Sequence, residues 1–290
     1  MPGVNIWIMG ARPKTLPAAI VPVAVGTAAA VGHGIIWWRA VAALIVSIGL
    51  QVGTNFANDY SDGKRGTDGA DRVGPVRLVG AGLAPPSAVK GAARYSFGVA
   101  AVAGVALCAA AGWWLLGVGA ASIAAGWLYT GGPRPYGYLG LGEVFVFVFF
   151  GLVATVGTTY VISETITGLS VLAAVPVGLW ATALLIVNNL RDIPGDTAAG
   201  KRTLAVRLGD GRTRGLYTTV LIGAWACVLI VATLRPWAAL GVIGVIAGIA
   251  PLRSVWSGAA GGELIPVLAM TGRVQLLSGG LLAAGMALSG

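Results

Sequence analysis

Apolar runs of about 20 residues recur along the whole chain, and they constrain its fold more than any other feature of the sequence. An α-helix needs roughly this length to cross the hydrocarbon core of a bilayer. The chain is 57% hydrophobic and 10% charged, whereas a soluble domain carries roughly 25% charged residues. Because the runs do not alternate between apolar and polar residues, they are not typical of a transmembrane β-barrel. The sequence therefore excludes a soluble globular enzyme, a disordered protein and a nucleic-acid-binding protein.

Nine such spans can be drawn between residues 1 and 290. We predict one all-α, polytopic membrane domain with about nine transmembrane helices and lipid as its surroundings. The spans are predicted at about 16–34, 40–60, 88–110, 111–130, 139–162, 169–193, 214–234, 236–252 and 266–288. Two of the connections are long and polar, at about 61–87 and 194–213.

The distribution of Lys and Arg predicts the orientation of the chain. The sequence has 19 basic residues against 10 acidic ones, a net charge of +9. If the N-terminus lies inside, every base except Arg39 and Arg235 falls in an inside segment. This asymmetry predicts a cytoplasmic N-terminus by the positive-inside rule. It also suits anionic lipid headgroups or an anionic substrate at that face.

Six of the ten acidic residues form two clusters, each where a span meets a long loop. The first consists of Asp59, Asp62, Asp68 and Asp71, and the second of Asp192 and Asp196. An Asn precedes each cluster by one helical turn, Asn55 before Asp59 and Asn188 before Asp192. This similarity predicts a pseudo-repeat of two halves, at about 1–130 and 131–290.

The end of the second cluster is expected to differ from that of the first. Proline removes a backbone donor and interrupts a helix. Pro194 and Gly195 are therefore expected to end the helix, so that Asp196 projects from a turn.

Clustered carboxylates at a membrane interface repel one another and need a cation. Three interpretations remain open: a solvated loop neutralised by local Lys and Arg, a cation pathway, and a Mg²⁺–diphosphate site. Mg²⁺ prefers carboxylate and phosphate oxygens, and guanidinium groups bind phosphate in a bidentate manner. Because both clusters lie beside basic, glycine-containing loops, we favour the Mg²⁺–diphosphate interpretation.

At this point the sequence resembles the UbiA superfamily of intramembrane prenyltransferases over essentially its whole length. Residues 58–68 (NDYSDGKRGTD) are similar to the first Asp-rich motif of the family, and residues 192–196 match its second, DxxxD. Gly66 occupies the last position of the usual first motif, and Asp68 lies two residues further on. The closest branch is the one that prenylates 1,4-dihydroxy-2-naphthoate in menaquinone biosynthesis. The stretches that resemble this branch are 11–17, 71–77, 141–147, 188–192 and 200–209.

The resemblance implies a set of functional residues. Expected Mg²⁺ ligands are Asp59, Asp62, Asp68, Asp192 and Asp196. The expected catalytic groups are Asp59, Asp62, Asp192 and Asp196, to which Glu143 is added because of its position in an apolar run. Expected diphosphate-binding residues are Asn55, Asn58, Lys64, Arg65, Arg72, Arg77, Asn188, Arg191 and Lys201. Aromatic residues expected to line the prenyl site are Tyr60, Tyr129, Phe145 and Phe149.

Glu143 raises a separate question because it lies inside an apolar run. A carboxylate within a membrane segment is costly and is a functional candidate by default. Two interpretations are weighed evenly: it binds or deprotonates the acceptor, or it pairs with Arg134 or an Asn and holds the bundle together.

The implied reaction joins a polyprenyl diphosphate to 1,4-dihydroxy-2-naphthoate with loss of CO₂ and diphosphate, giving a demethylmenaquinol. The expected location is the cytoplasmic face of the plasma membrane. A different acceptor, such as 4-hydroxybenzoate, a porphyrin or a sugar phosphate, remains an alternative. A transporter or channel would place its charges near the bilayer midplane, and a metal-dependent hydrolase would cleave the prenyl diphosphate without an acceptor.

Overall fold

The computed structural model describes residues 5–67 and 73–290, and these residues contain helices and no β-strand. The helices are α1 Ile6–Ala11, α2 Pro17–Ala29, α3 Trp37–Arg65, α4 Pro86–Ala111, α5 Leu115–Leu128, α6 Gly142–Ser163, α7 Gly168–Ala198, α8 Leu204–Leu208, α9 Asp210–Ala232, α10 Pro236–Trp256 and α11 Leu264–Leu288. Short 3₁₀ turns cover Pro13–Thr15, Tyr136–Leu139 and Gly261–Glu263.

Seven of these helices are long and apolar enough to cross a membrane: α3, α4, α6, α7, α9, α10 and α11. Each of the nine predicted spans falls on a helix, which confirms an all-α, multi-pass protein. The remaining two helices, α2 and α5, have only 13 and 14 residues. At 1.5 Å per residue they are about 20 Å long, less than the roughly 30 Å of hydrocarbon.

The helices that carry the acidic clusters extend further than the sequence predicted. Helix α3 continues to Arg65 and ends at Gly66, whose φ of 70° is the left-handed conformation that glycine adopts readily. Helix α7 runs through Pro194 to Ala198. The prediction of a break at Pro194 and Gly195 is therefore wrong.

A single proline removes only one helical hydrogen bond, and buried neighbours such as Leu190 keep α7 in place. Asp196 consequently lies one turn after Asp192 on the same helix. The polar segments predicted at 61–87 and 194–213 thus both begin as helix.

The largest core joins α2, α7, α9, α10 and α11 around Trp180, Tyr217 and Trp225. Polar groups in this core bond across helices, as they must where water is absent. The indole of Trp225 donates to the Ser278 hydroxyl at 3.0 Å. The hydroxyls of Tyr217 and Thr271 lie 2.7 Å apart.

Helix α6 has a π-helical segment, Phe147–Val153, in its middle. At the same level it approaches α7 very closely, because a Cβ placed on Gly151 would lie 2.5 Å from the Cα of Gly178. The segment carries Phe149 and Phe150, which both face an internal cavity. Single-turn π segments often occur at functional sites because they change the direction of the side chains they carry.

Candidate active site

A cavity of about 750 Å³ runs into the bundle between α3, α4, α5, α6 and α7. Charged residues line one end, at the C-terminal ends of α3 and α7. The rest is lined mainly by apolar side chains, among them Val46, Leu50, Leu107, Leu115, Val118, Val153 and Val161. The cavity therefore has a polar end and an apolar arm, as a ligand with a charged head and a hydrocarbon tail requires.

Asp62 is the most enclosed carboxylate at the polar end, with 2% of its surface exposed. Tyr138 donates to its Oδ1 at 2.6 Å, and Lys201 approaches the same oxygen at 3.3 Å. Arg77 lies 3.6 Å from its other oxygen. One carboxylate thus gathers groups from three connections that are far apart in the sequence.

Lys201 joins the two acidic clusters. Its Nζ lies 3.3 Å from Asp62 and 3.8 Å from Asp196, and 4.7 Å from the centre of the Tyr138 ring. Burial lowers the pKa of Lys201, but the nearby Asp62 carboxylate and then Tyr138 and Asp196 outweigh it, so the pKa is raised. The ammonium group therefore stays charged and neutralises the carboxylates around it.

Tyr138 is held in its neutral form. Burial raises the pKa of its hydroxyl, and the negative charge of Asp62 raises this pKa further. A neutral phenol donates a hydrogen bond to a carboxylate through its O–H group. This fits the 2.6 Å contact with Asp62.

Arg191 is the base of the second cluster. Its Nε and Nη2 donate to the two oxygens of Asp192 at 2.7 and 2.6 Å, and Nη2 also donates to Asn188. Within 5–67 and 73–290, the buried Nη1 has no hydrogen-bond partner. A buried guanidinium nitrogen without a partner is costly unless an anion binds there, so the site fits a phosphate oxygen.

Asp59 lies apart from the other carboxylates. Its oxygens accept hydrogen bonds from the backbone amides of Leu78 and Val79, at 2.8 and 3.0 Å. It does not line the cavity. In this structure Asp59 holds the segment after residue 73 against α3, a role that the sequence did not indicate.

The other residues predicted to bind diphosphate divide into two groups. Asn55, Asn58 and Asn188 line the cavity with Arg77, Arg191 and Lys201. Lys64 and Arg65 do not. Arg65 instead donates to the backbone carbonyls of Thr130 and Gly132, so it fastens α3 to the next connection.

Three of the four predicted aromatic residues, Tyr129, Phe145 and Phe149, line the cavity. Phe145 stacks on Tyr136, with ring centres 3.9 Å apart, and on Phe149 at 6.0 Å. Tyr60 faces the other side of α3. Its ring lies 6.2 Å from that of Trp127 and beneath the Lys90 ammonium.

Glu143 is buried behind the cavity wall rather than in it. Its Oε1 accepts a hydrogen bond from the side-chain amide of Asn189 at 2.9 Å, and Asn189 does line the cavity. Among the described residues, Oε2 has no hydrogen-bond partner. Glu143 can therefore act on a ligand through Asn189.

Several residues at the polar end were not predicted from the sequence. Tyr138 bonds to Asp62, and Thr130 donates to Asn58 at 2.8 Å. Arg12 also lines the cavity and has a left-handed backbone, with φ of 54°. Asn189 and Tyr136 complete this group. One feature of the sequence could have indicated Tyr136 and Tyr138. Both lie in a short segment that contains Gly and Pro, and this segment returns the chain to the face of the acidic clusters.

Three carboxylates of the predicted metal set, Asp62, Asp192 and Asp196, line the same cavity. No group of three potential ligand side chains lies close enough to hold a metal ion in the parts of the chain that the structure describes. Bases lie between these carboxylates instead. The donor set is nevertheless the oxygen-rich one that Mg²⁺ takes when it binds through carboxylates and phosphates. The predicted residues Asp68 and Arg72, with Asp71, lie outside the described residues.

Known proteins resemble this chain in both sequence and structure. A 1,4-dihydroxy-2-naphthoate octaprenyltransferase of Mycobacterium tuberculosis is 49% identical over 272 residues, 93% of each chain. The Escherichia coli protein of the same name is 40% identical and covers 76% of this chain and 74% of its own.

Solved structures show the same fold at low sequence identity. A UbiA homolog from Archaeoglobus fulgidus bound to DMAPP and Mg²⁺ has a TM-score of 0.66 at 16% identity, covering 98% of this chain and 100% of its own. A UbiA homolog from Aeropyrum pernix in its apo form has a TM-score of 0.70 at 15% identity, over 99% of each chain. The UbiA prenyltransferase family matches residues 19–263, and the chain therefore belongs to that family.

Proposed function

We propose that this protein transfers a polyprenyl group from polyprenyl diphosphate to 1,4-dihydroxy-2-naphthoate. The products are demethylmenaquinol, CO₂ and diphosphate. One observation carries the proposal: three carboxylates meet the bases Arg77, Arg191 and Lys201 at the polar end of a cavity whose other arm is apolar. The names of the similar M. tuberculosis and E. coli proteins support the naphthoate acceptor.

The polar end suits a diphosphate bound with Mg²⁺. Asp62, Asp192 and Asp196 would hold the metal, and the metal would stabilise negative charge on the departing diphosphate. Arg77, Arg191 and Lys201 now neutralise these same carboxylates. With the carboxylates holding the metal, these three bases would bind phosphate oxygens. Asp59 would have to release the backbone amide of Leu78 or Val79 before it could bind the metal as well. Asp68 remains a metal ligand predicted from the sequence.

The apolar arm suits the prenyl chain and the chemistry of its reacting end. The bond between the first prenyl carbon and the diphosphate oxygen breaks, and the electron pair leaves with the diphosphate. The rings of Tyr136, Phe145 and Phe149, which line the cavity, would stabilise the resulting allylic cation, each by about 1 kcal/mol. Apolar walls exclude the water that would capture this cation.

The acceptor completes the reaction without an external oxidant or reductant. The ring carbon that bears the carboxylate forms the new bond to the prenyl carbon. The bond to the carboxylate then breaks, CO₂ leaves, and its electron pair restores the aromatic ring. Asn189, held by Glu143, is the polar group we assign to orienting the acceptor near this point.

We also propose that the polar end faces the cytoplasm, in a plasma membrane, with the N-terminus on the same side. The positive-inside asymmetry of Lys and Arg supports this orientation. It places the charged substrates and Mg²⁺ on the side where a cell supplies them.

A transfer assay on the purified protein in nanodiscs tests the proposal. Labelled polyprenyl diphosphate is supplied with 1,4-dihydroxy-2-naphthoate or with 4-hydroxybenzoate, in Mg²⁺ or in EDTA. We expect Mg²⁺-dependent prenylation of the naphthoate alone, and at least a 100-fold loss in Asp62→Asn. Transfer to 4-hydroxybenzoate would contradict the proposed naphthoate acceptor. Release of diphosphate without any acceptor would favour a hydrolase.

A further inference from the structure

A second concave surface lies between α4 and α5, on the opposite side of α5 from the cavity. We call it the α4–α5 groove. It is lined by Lys90, Arg94, Phe97, Ala120, Ile123, Ala124, Trp127 and Leu128. None of these residues lines the active-site cavity, so the groove is a separate surface feature of a chain that lies in lipid.

The apolar part of the groove has space for a hydrocarbon chain. Ala120 and Ala124 lie one turn apart on α5 and are both exposed, so their small side chains leave space along the helix. Ile123 and Trp127 form a second row, and the Trp127 ring packs 6.5 Å from that of Phe97. From Ala120 to Leu128 the groove follows α5 for about 12 Å.

The polar end of the groove carries two bases. Lys90 and Arg94 are one turn apart on α4, so they project from the same face. The Lys90 ammonium lies 5.3 Å from the centre of the Tyr60 ring. Within the described ranges, neither base forms an ion pair with a carboxylate. Lys90 and Arg94 lie in the first three turns of α4, near the connection that Asp59 fastens to α3. They are therefore on the same face of the bundle as the acidic clusters.

We propose that the α4–α5 groove binds an anionic phospholipid. The phosphate accepts hydrogen bonds from Lys90 and Arg94, and one acyl chain lies along Ala120 and Ala124. Long basic side chains near a helix end reach the headgroup level in this way. Among the residues that the structure describes, no carboxylate lines the groove, so these residues supply none of the Mg²⁺ ligands that a diphosphate would need. A single phosphate diester is therefore the better match.

Native mass spectrometry of the intact protein in detergent tests this site. Phosphatidylglycerol and phosphatidylcholine with identical acyl chains are titrated against the wild type and the double variant Lys90→Gln/Arg94→Gln. We expect the wild type to prefer phosphatidylglycerol, and the double variant to bind it roughly 30-fold more weakly, since each base near the surface contributes on the order of a factor of five. Phosphatidylcholine shares the phosphate, but its choline cation offsets the phosphate charge, so its binding should fall by less than that of phosphatidylglycerol.

The matched control removes two other exposed bases, in Arg212→Gln/Arg253→Gln on α9 and α10. This control has the same change in net charge and should keep the preference for phosphatidylglycerol. An equal loss in the control would show that net charge and not the groove recruits the lipid. An unchanged preference in the Lys90/Arg94 variant would overturn the proposed phosphate site.

A third variant tests where the acyl chain lies. Ala124→Trp fills the apolar row but leaves both bases in place, and we expect it to weaken phosphatidylglycerol binding. Unchanged binding would overturn the proposed chain position. A further outcome would assign the groove to a prenyl diphosphate instead. In that case farnesyl diphosphate would displace the lipid from the wild type, and Ala124→Trp would abolish the binding of farnesyl diphosphate.

Discussion

The carboxylate of Glu143 bonds to an amide that lines the cavity, although the carboxylate itself does not. The sequence left two roles open for Glu143, reaction with the acceptor or structural pairing with an Asn. The contact with Asn189 supports a positioning role for Glu143. Its carboxylate accepts a hydrogen bond from the Asn189 NH₂ group, which leaves the carbonyl oxygen of the Asn189 side chain for a ligand. This interpretation predicts different effects for Glu143→Gln and Glu143→Leu, two substitutions that introduce side chains of similar size.

Glu143→Gln should keep most of the transfer activity, because the Gln carbonyl can still accept the Asn189 hydrogen bond. Glu143→Leu should raise the KM for the naphthoate about tenfold, the effect of losing one buried hydrogen bond, and leave the KM for prenyl diphosphate unchanged. Steady-state kinetics with each substrate varied in turn measure both values. Glu263→Gln, at an exposed position, is the control. An inactive Glu143→Gln enzyme with normal folding would instead identify the carboxylate as a base.

Asp59 and Asp62 should respond differently to the same substitution. Asp62→Asn should raise the Mg²⁺ concentration needed for half-maximal activity, because Asp62 lines the cavity. Asp59→Asn leaves an amide of residue 78 or 79 without an acceptor, so it should lower the free energy of unfolding by about 1–3 kcal/mol.

Thermal unfolding and Mg²⁺ titrations of both variants compare these effects. A larger change in Mg²⁺ dependence for Asp59→Asn than for Asp62→Asn would show that Asp59 leaves the Leu78 and Val79 amides to bind the metal. The sequence alone ranked the two residues equally, since both belong to the same motif.

At the scale of elements, the contact between α6 and α7 decides which aromatic side chains face the cavity. The π-helical segment of α6 packs against α7 through Gly151 and Gly178. Apolar periodicity predicted both helices, but it could not predict the π turn, because a one-residue bulge leaves no mark in such a pattern. The break predicted at Pro194 failed for a related reason: packing outweighed local propensity.

Gly151→Ala should destabilise the protein by about 1–3 kcal/mol, because the added methyl group has no space against α7. It should also lower activity by displacing Phe149. Gly168→Ala, at a helical position with nothing within 4 Å of the new Cβ, should leave the stability within about 0.5 kcal/mol. Thermal unfolding in one detergent compares the two, and equal Tm values would contradict the packing argument.

At the scale of the whole molecule, the polar end of the cavity and most bases lie at one face of the bundle. We expect this face to be cytoplasmic. In a background without Cys108 and Cys227, Leu234→Cys should react with a membrane-impermeant maleimide in intact cells. Arg212→Cys should react only after the membrane is permeabilised. Labelling in the reverse order would invert the proposed orientation.

The sequence by itself determined the class of fold and the general location of the site. Apolar runs of membrane length require helices, because backbone groups in lipid must bond within their own segment. Carboxylates and bases are costly in hydrocarbon, so their clusters mark the span ends where a charged site can lie. Both conclusions depend on local composition and spacing, which are properties that the sequence displays directly.

Only the tertiary structure decided which of the candidate residues meet. It brought Asp62, Tyr138 and Lys201 together across connections that are distant in the sequence. It turned Tyr60 away from the cavity and gave Asp59 two backbone partners. Such choices depend on how each helix is rotated and how closely it packs against its neighbours, and residues far apart in the chain set both quantities.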